Sequence, residues 1–306
     1  MGRRKSGEAI SGWVCLDKPY DLTSTQAVGR VRRLFNARKA GHAGTLDPLA
    51  TGVLPLALGE ATKTVSFMMD ARKTYRFTIA WGRTTTTLDR EGETSAASDV
   101  RPTPDEAAAA LPAFIGEIDQ VPPAFSAIKV DGERAYDLAR AGEVVELAER
   151  PILIEALRLV DVPDRDHATF EVTCGKGTYI RSLARDMGRA LGTAAHVTSL
   201  RRVAVGPFTE DHMISLENLT ELGHKAPGGD AKTGALLPIE TVLDGIPALA
   251  IDEEQARRLK LGQAVLLRGA NAPILGDAVL VMSGGKPLGI GTIVEGSLKP
   301  KRLFNL

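Results

Sequence analysis

Apolar residues along this chain fall into short unbroken runs, alternating runs and helical stripes, and each kind predicts an element. Residues 12–16 form a short apolar run, the mark of a strand. Thr23 with Gln26 makes a capping box, so a helix opens there, with Val28, Val31 and Phe35 on its apolar stripe and Arg30 and Arg33 facing elsewhere. Residues 53–58 read as a buried strand and 60–69 as a helix. Residues 73–82 alternate as a half-buried strand should, 84–92 are a polar loop, and Thr103 caps an alanine-rich helix that runs to 115. Pro122 and Pro123 open an extended segment through Ile128 and Val130, Asp131-Gly132 makes a hairpin-type turn, and a short helix covers 134–141. Strands are expected at 152–160 and 169–174. A helix at 178–191 places Ile180, Leu183, Ala184, Met187 and Leu191 on one face, and 197–205 is again extended.

Helices mixed with long-range strands, rather than alternating βαβ units, predict an α+β fold: a mixed, mostly antiparallel sheet flanked by helices. Residues 226–234 are the most flexible-looking stretch. After it the chain turns to short strands at 264–267, 278–282 and 288–294, separated by glycine turns. The expected organisation is therefore a basic flexible arm (1–11), a main domain (12–243) and a small β-rich module (244–306).

Composition narrows the class. Hydrophobic residues make up 43% and charged residues 25%, as in an ordinary soluble protein. No apolar run approaches the roughly 18 residues of a membrane span, and the basic N-terminus lacks the apolar segment of a secretory signal. Two cysteines, Cys15 and Cys174, are too few and too far apart for a disulfide framework or a zinc site, which points to a reducing, cytoplasmic compartment. Net charge is zero, but Arg30, Arg32, Arg33, Arg38 and Lys39 cluster early, Arg201 and Arg202 are adjacent, and Lys299, Lys301 and Arg302 lie near the end. Acidic residues concentrate elsewhere, so a neutral total is compatible with a basic groove.

Asp47 is the first candidate for chemistry. It sits between a glycine-punctuated turn and the apolar run at 53–58, and Pro48 keeps it out of helical geometry. A carboxylate on a stiff loop suits a nucleophile or base, although an Asx-turn to its own backbone is the simpler local alternative. Arg181 falls near the start of the 178–191 helix, where the dipole disfavours a cation. A carboxylate partner would compensate, and Asp47, kept ionised in a bidentate grip, is the candidate. The other possibility is a solvated face shared with Arg185. Residues 59–64 lack the glycine before lysine that a phosphate-binding loop requires, Gly175-Lys176-Gly177 lacks the rest of a dinucleotide fingerprint, and no His/Cys cluster has metal spacing. No second acid is evident to pair with Asp47 as a glycosidase would need.

The run Gly-His-Ala-Gly-Thr-Leu-Asp-Pro-Leu-Ala-Thr-Gly-Val-Leu from Gly41 to Leu54 resembles the signature of the TruB family of tRNA pseudouridine synthases. Cys-Gly-Lys-Gly-Thr-Tyr-Ile-Arg from Cys174 to Arg181 is similar to that family's second signature. Leu16 to Pro19 with Thr23-Ser24, Gln120 to Lys129, and Ala195 to Arg202 are similar as well. The resemblance implies that Asp47 is catalytic and paired with Arg181, and that Tyr75 stacks on the target uracil and assists removal of its C5 proton. It places His42 against RNA and Tyr179 and Leu200 in the base pocket, with Lys18 and Lys129 also at the substrate. It implies a tRNA T-arm as partner, no cofactor, no metal, no membrane, a monomer, and a PUA-like RNA-binding module at 244–306. Two departures stand out: Asp21 replaces a usual glycine, and Thr86 a usual acid in the Thr85–Asp89 loop. The rival classes are a non-catalytic RNA-binding or RNA-folding protein and a nucleotide-dependent transferase.

Overall fold

Two sheets, one of nine strands and one of five, organise the chain in a computed structural model that describes residues 7–130, 132–143, 145–225, 234–267, 269 and 273–306. Residues 1–6 of the expected arm, Asp131 of the expected turn and 226–233 of the expected flexible stretch lie outside the described residues. In chain order the first elements are β1 (Gly12–Lys18), α1 (Ser24–Leu34), β2 (Ala40–His42), β3 (Thr51–Leu58), α2 (Val65–Met69) and β4 (Lys73–Trp81). A hairpin of β5 (Arg83–Thr85) and β6 (Thr94–Ala97) leads to α3 (Pro104–Ala110) and β7 (Gly116–Gln120). Next come β8 (Lys129–Val130), β9 (Glu133–Arg134), α4 (Ala135–Arg140), β10 (Arg150–Asp164), β11 (His167–Cys174), α5 (Ile180–Ala190) and β12 (Ala195–Val205). The chain closes with β13 (Phe208–Thr209), α6 (Leu216–Lys225), β14 (Ala248–Ile251), α7 (Glu253–Lys260), β15 (Val265–Leu266), β16 (Gly276–Ser283), β17 (Lys286–Val294) and β18 (Ser297–Leu303).

The larger sheet runs β1-β3-β12-β4-β11-β10-β7, with β2 added to β3 and β13 to β12. Its pairings are antiparallel except that of β3 with β12, which sets Arg201 beside Thr51 and Arg202 beside Gly52. Alternation decides its two faces. Phe77, Ile79 and Trp81 of β4 turn to one side, where they pack on Ile180, Leu183, Ala184 and Met187 of α5. On the other side Thr74 and Thr78 meet Thr173 and Thr169 across the strands, hydroxyl to hydroxyl at 3.0 Å. Each buried aromatic or aliphatic side chain in such a layer contributes about 1.5–3 kcal/mol.

The expected capping box forms at Thr23 with Gln26, and the expected cap at Thr103 is completed into a box by Glu106. Three expected helices are shorter than their patterns. The 60–69 stretch begins as a 3₁₀ turn, Gly59–Thr64, before α2. The 103–115 stretch leaves α geometry at Leu111, where Pro112 cannot donate and a 3₁₀ turn takes over. The 178–191 helix starts only at Ile180. β7 and β18 have no apolar alternation to announce them. Gly-Glu-Ile-Asp-Gln is an edge strand and Ser-Leu-Lys-Pro-Lys-Arg-Leu carries the Lys and Pro typical of sheet margins.

The smaller sheet runs β14-β16-β17-β18-β15. Leu280, Ile290 and Phe304 from this half share one core with Trp13, Val53, Val205 and Phe208. Lys63 Nζ donates to the Leu303 carbonyl at 2.7 Å and the Asn305 N–H to Glu60 at 2.8 Å, which fastens the end of the chain to the 3₁₀ turn that follows β3. Among the described residues no helix is long and apolar enough to cross a membrane.

Candidate active site

The loop from β2 to β3 carries Asp47, and its neighbours hold it from several sides. Ser24 Oγ donates to the Leu46 carbonyl at 3.0 Å and accepts from the Leu46 N–H at 2.9 Å, tying the loop to the first turn of α1. The Ala50 N–H closes a turn onto the Asp47 carbonyl at 3.1 Å. Arg202 Nη2 donates to the Gly44 carbonyl at 3.2 Å and Lys18 Nζ to that of Pro48 at 3.0 Å. The backbone around Asp47 is thus fixed while its side chain stays 41% exposed, which suits a group that must be aimed and yet reachable.

Arg181 lies in the first turn of α5 with its side chain 7% exposed, and its Nε is 2.9 Å from Asp47 Oδ2. The two residues that the sequence separates widely meet as an ion pair. The grip is single-point rather than bidentate, because the Nη atoms are engaged elsewhere. Nη1 donates to the Thr87 carbonyl at 2.9 Å and Nη2 to that of Phe125 at 3.0 Å. A second carboxylate, Asp89, reaches to 3.7 Å of Nη1. Asp89 also accepts from Thr87 and from the Glu91 N–H at 3.0 Å, so the 84–92 loop is folded around the same arginine. Burial, reinforced by Asp89, pushes the Glu91 carboxyl above its ordinary range. The start of α5 is itself anchored: Gln120 accepts from the Tyr179 N–H at 2.9 Å and donates to its carbonyl at 3.2 Å, and Ser182 Oγ donates to Val121 at 2.8 Å.

Asp47 and Arg181 stand between two hollows. One is a small crevice closed by Asp89, Arg90 and the stretch from Val197 to Leu200. The other is a cavity of about 320 Å³, lined among others by Lys73, Tyr75, Tyr179, Leu200 and Arg202. Leu200 and Tyr75 pack against two core clusters at once and form its apolar wall. Burial raises the Tyr75 phenol, and likewise that of Tyr179.

The other expected substrate residues are placed differently. Lys18 is fully buried, with its ammonium donating to the carbonyls of Pro19, Leu22 and Pro48 at 3.1, 2.6 and 3.0 Å. It has no donor left for a ligand, so the expectation of substrate contact is corrected: Lys18 braces the Asp47 loop. Burial holds its pKa down to about 8, with the Asp47 charge opposing that shift. His42 is half-buried on β2, outside the cavity wall, and among the described residues its buried Nδ1 has no hydrogen-bond partner. Lys129 is exposed on the β8–β9 hairpin, also away from that wall. The basic pair at 201–202 is no open patch either, since Arg201 pairs with Asp17 and Glu210 and Arg202 is buried. Among the described residues no group of three or more His, Cys, Asp or Glu side chains could hold a metal ion.

The family model for the N-terminal domain of TruB pseudouridylate synthases matches residues 32–180, which include Asp47, Tyr75 and Tyr179. The tRNA pseudouridylate synthase B C-terminal domain matches 181–244, and the pseudouridine synthase II TruB C-terminal model 247–304. A relative described as tRNA pseudouridine synthase B, from Caulobacter vibrioides, is 59% identical over 313 residues and covers 100% of both chains. The chain belongs to the TruB family of pseudouridylate synthases. It is therefore an isomerase. A Bradyrhizobium diazoefficiens relative of the same description is 57% identical over 99% of this chain and 88% of its own. A chain in the crystal structure of a Cbf5-Nop10-Gar1 complex is 27% identical, with a TM-score of 0.73 over 96% of this chain and 84% of that chain.

Within this TruB-family site, Asp89 and Arg202 are the members that sequence reasoning did not single out. Asp89 had a signal, the Thr-x-Thr-x-Asp pattern of its loop, but nothing local says that it turns toward Arg181. Asp21, one of the two departures, adopts φ +57° and so keeps the left-handed turn that a glycine would supply.

Proposed function

We propose that this enzyme isomerises the uridine of the tRNA T loop, position 55 in tRNA numbering, to pseudouridine. The observation that carries the reading is the Asp47–Arg181 ion pair at the mouth of a cavity sized for one unstacked base. The target uridine is buried in the folded tRNA elbow, so the enzyme flips it out at a cost of a few kcal/mol. Tyr75 stacks on the uracil, and Tyr179 and Leu200 shut out water while the base is detached. Asp47 acts at the ribose, either as nucleophile or by taking a sugar proton, and the bond from N1 to C1′ opens. Arg181 and its carbonyl contacts keep the carboxylate aimed. The uracil turns, C5 bonds to C1′, and the Tyr75 oxygen takes the C5 proton. His42 steadies the flipped state from beside the loop, and Lys129 meets the RNA backbone outside the pocket. The C-terminal sheet, similar to a PUA domain, extends the RNA surface. The enzyme works as a cytoplasmic monomer and needs neither metal nor cofactor.

Tritium release from a T-arm transcript labelled at uridine C5 tests this. Wild type releases label and Asp47→Asn does not, while both bind the transcript with similar Kd. Binding without release by the wild type would instead mark an RNA-folding protein, and a requirement for a nucleotide would mark a transferase.

A further inference from the structure

One buried charge in the cavity wall has no part in the steps above. Arg202 is 1% exposed. Its chain neighbour Arg201 is matched by two acids, but among the described residues Arg202 forms no ion pair. Its Nε donates to the Val53 carbonyl at 2.8 Å and its Nη2 to that of Gly44 at 3.2 Å. A guanidinium taken out of water without a counter-charge is costly, and costs of that kind persist where a site uses them.

Two placements say what the charge faces. Arg202 on β12 is the direct cross-strand partner of Tyr75 on β4, and both residues line the 320 Å³ cavity. The Val53 and Gly44 carbonyls fix two corners of the planar guanidinium. We propose that Arg202 is a positioning residue for the last step: it holds the Tyr75 oxygen in the cavity, where that oxygen accepts the uracil C5 proton. Burial pushes the phenol up, and the charge of Arg202 opposes that shift.

The step balances as follows. Once C1′ is bonded to C5, that carbon carries both the sugar and a hydrogen. The C5–H electron pair becomes the C5–C6 double bond, and the C6–N1 π pair moves onto N1, which takes a proton from water. The Tyr75 oxygen takes the C5 proton as its own hydroxyl proton passes to water.

The inference rests on Tyr75 as the proton acceptor proposed above, and the test separates the two. Single-turnover conversion of a T-arm transcript is measured with uridine and with 5-deuterouridine, for wild type, Arg202→Gln, Arg202→Lys, Tyr75→Phe and Tyr75→Phe/Arg202→Gln. Arg202→Gln is expected to lose about 10²-fold, the lower end for positioned proton transfer, with a deuterium effect larger than that of wild type. Arg202→Lys keeps the charge, so it loses less. The double variant falls no further than Tyr75→Phe, as two residues acting through one atom should. A purely structural role for Arg202, bracing Gly44 and hence Asp47, slows glycosidic cleavage instead. The deuterium effect then stays at the wild-type value and the losses multiply, which overturns the proposal. Wild-type rates for Tyr75→Phe overturn the Tyr75 role itself. Should Arg202→Gln fail to fold, the deuterium effect of Arg202→Lys decides, a wild-type value overturning the inference.

Discussion

At the scale of single residues the site divides into groups that are reachable and groups that are spent. Asp47 is reachable; Lys18 is spent on three carbonyls. Lys18→Met is therefore expected to leave RNA affinity within about twofold and to lower the conversion rate, because it frees Pro48 beside the catalytic acid. Filter binding and single-turnover rates read the two separately; a weakened Kd with an unchanged rate would restore Lys18 as a substrate contact. Truncation leaves buried carbonyls unpaired, at about 1–3 kcal/mol each, so a lowered Tm accompanies it. His42 bears on pH. Burial, with Arg202 nearby, holds its imidazole below the ordinary 6.5. Between that depressed value and 6.5 the unfolded chain binds the extra proton, so stability falls as pH drops through this window. His42→Gln should flatten its share of the decline in melts taken from pH 7.5 to 5.

At the scale of elements, the parallel seam between β3 and β12 decides whether the site assembles. Gly52 lies on that seam at φ +98°, and a Cβ there would sit 2.2 Å from the Arg202 carbonyl oxygen. Gly52→Ala must strain the backbone or part the strands, for about 1–3 kcal/mol. Arg202 and the Asp47 loop move with it, so activity should fall along with the urea midpoint. Gly245→Ala, with nothing within 4 Å of the added atom, should stay within about 0.5 kcal/mol of wild type. α5 shows the same dependence. Its N-terminus has no side-chain cap, and Gln120 and Val121 from outside the helix do the anchoring.

At the scale of the whole molecule, the two sheets are joined by a common core. Removing residues 248–306 strips Leu280, Ile290 and Phe304 from Trp13 and Phe208, which are fully buried in the intact chain. The truncated protein is expected to melt well below the full chain and to bind a hydrophobic dye. A cooperative transition at the full-length Tm would show instead that the first sheet folds without the second.

What the amino-acid order determined by itself was everything set by neighbours a few positions apart. Capping at Thr23 and Thr103, alternation in β4, and the apolar face of α5 all rest on local periodicity or on side chains three residues apart. So does the turn at Asp47-Pro48. The family signatures belong here too, since they are contiguous runs. Tertiary structure alone decided which charges are buried and which meet: Arg181 between Asp47 and Asp89, Lys18 beneath Pro48, and Arg202 beside Tyr75. Of two adjacent arginines, one found two carboxylates and the other, among the described residues, none, although their sequence context is almost the same. Desolvation and pairing depend on what packs against a side chain from distant parts of the chain, and no local pattern records that.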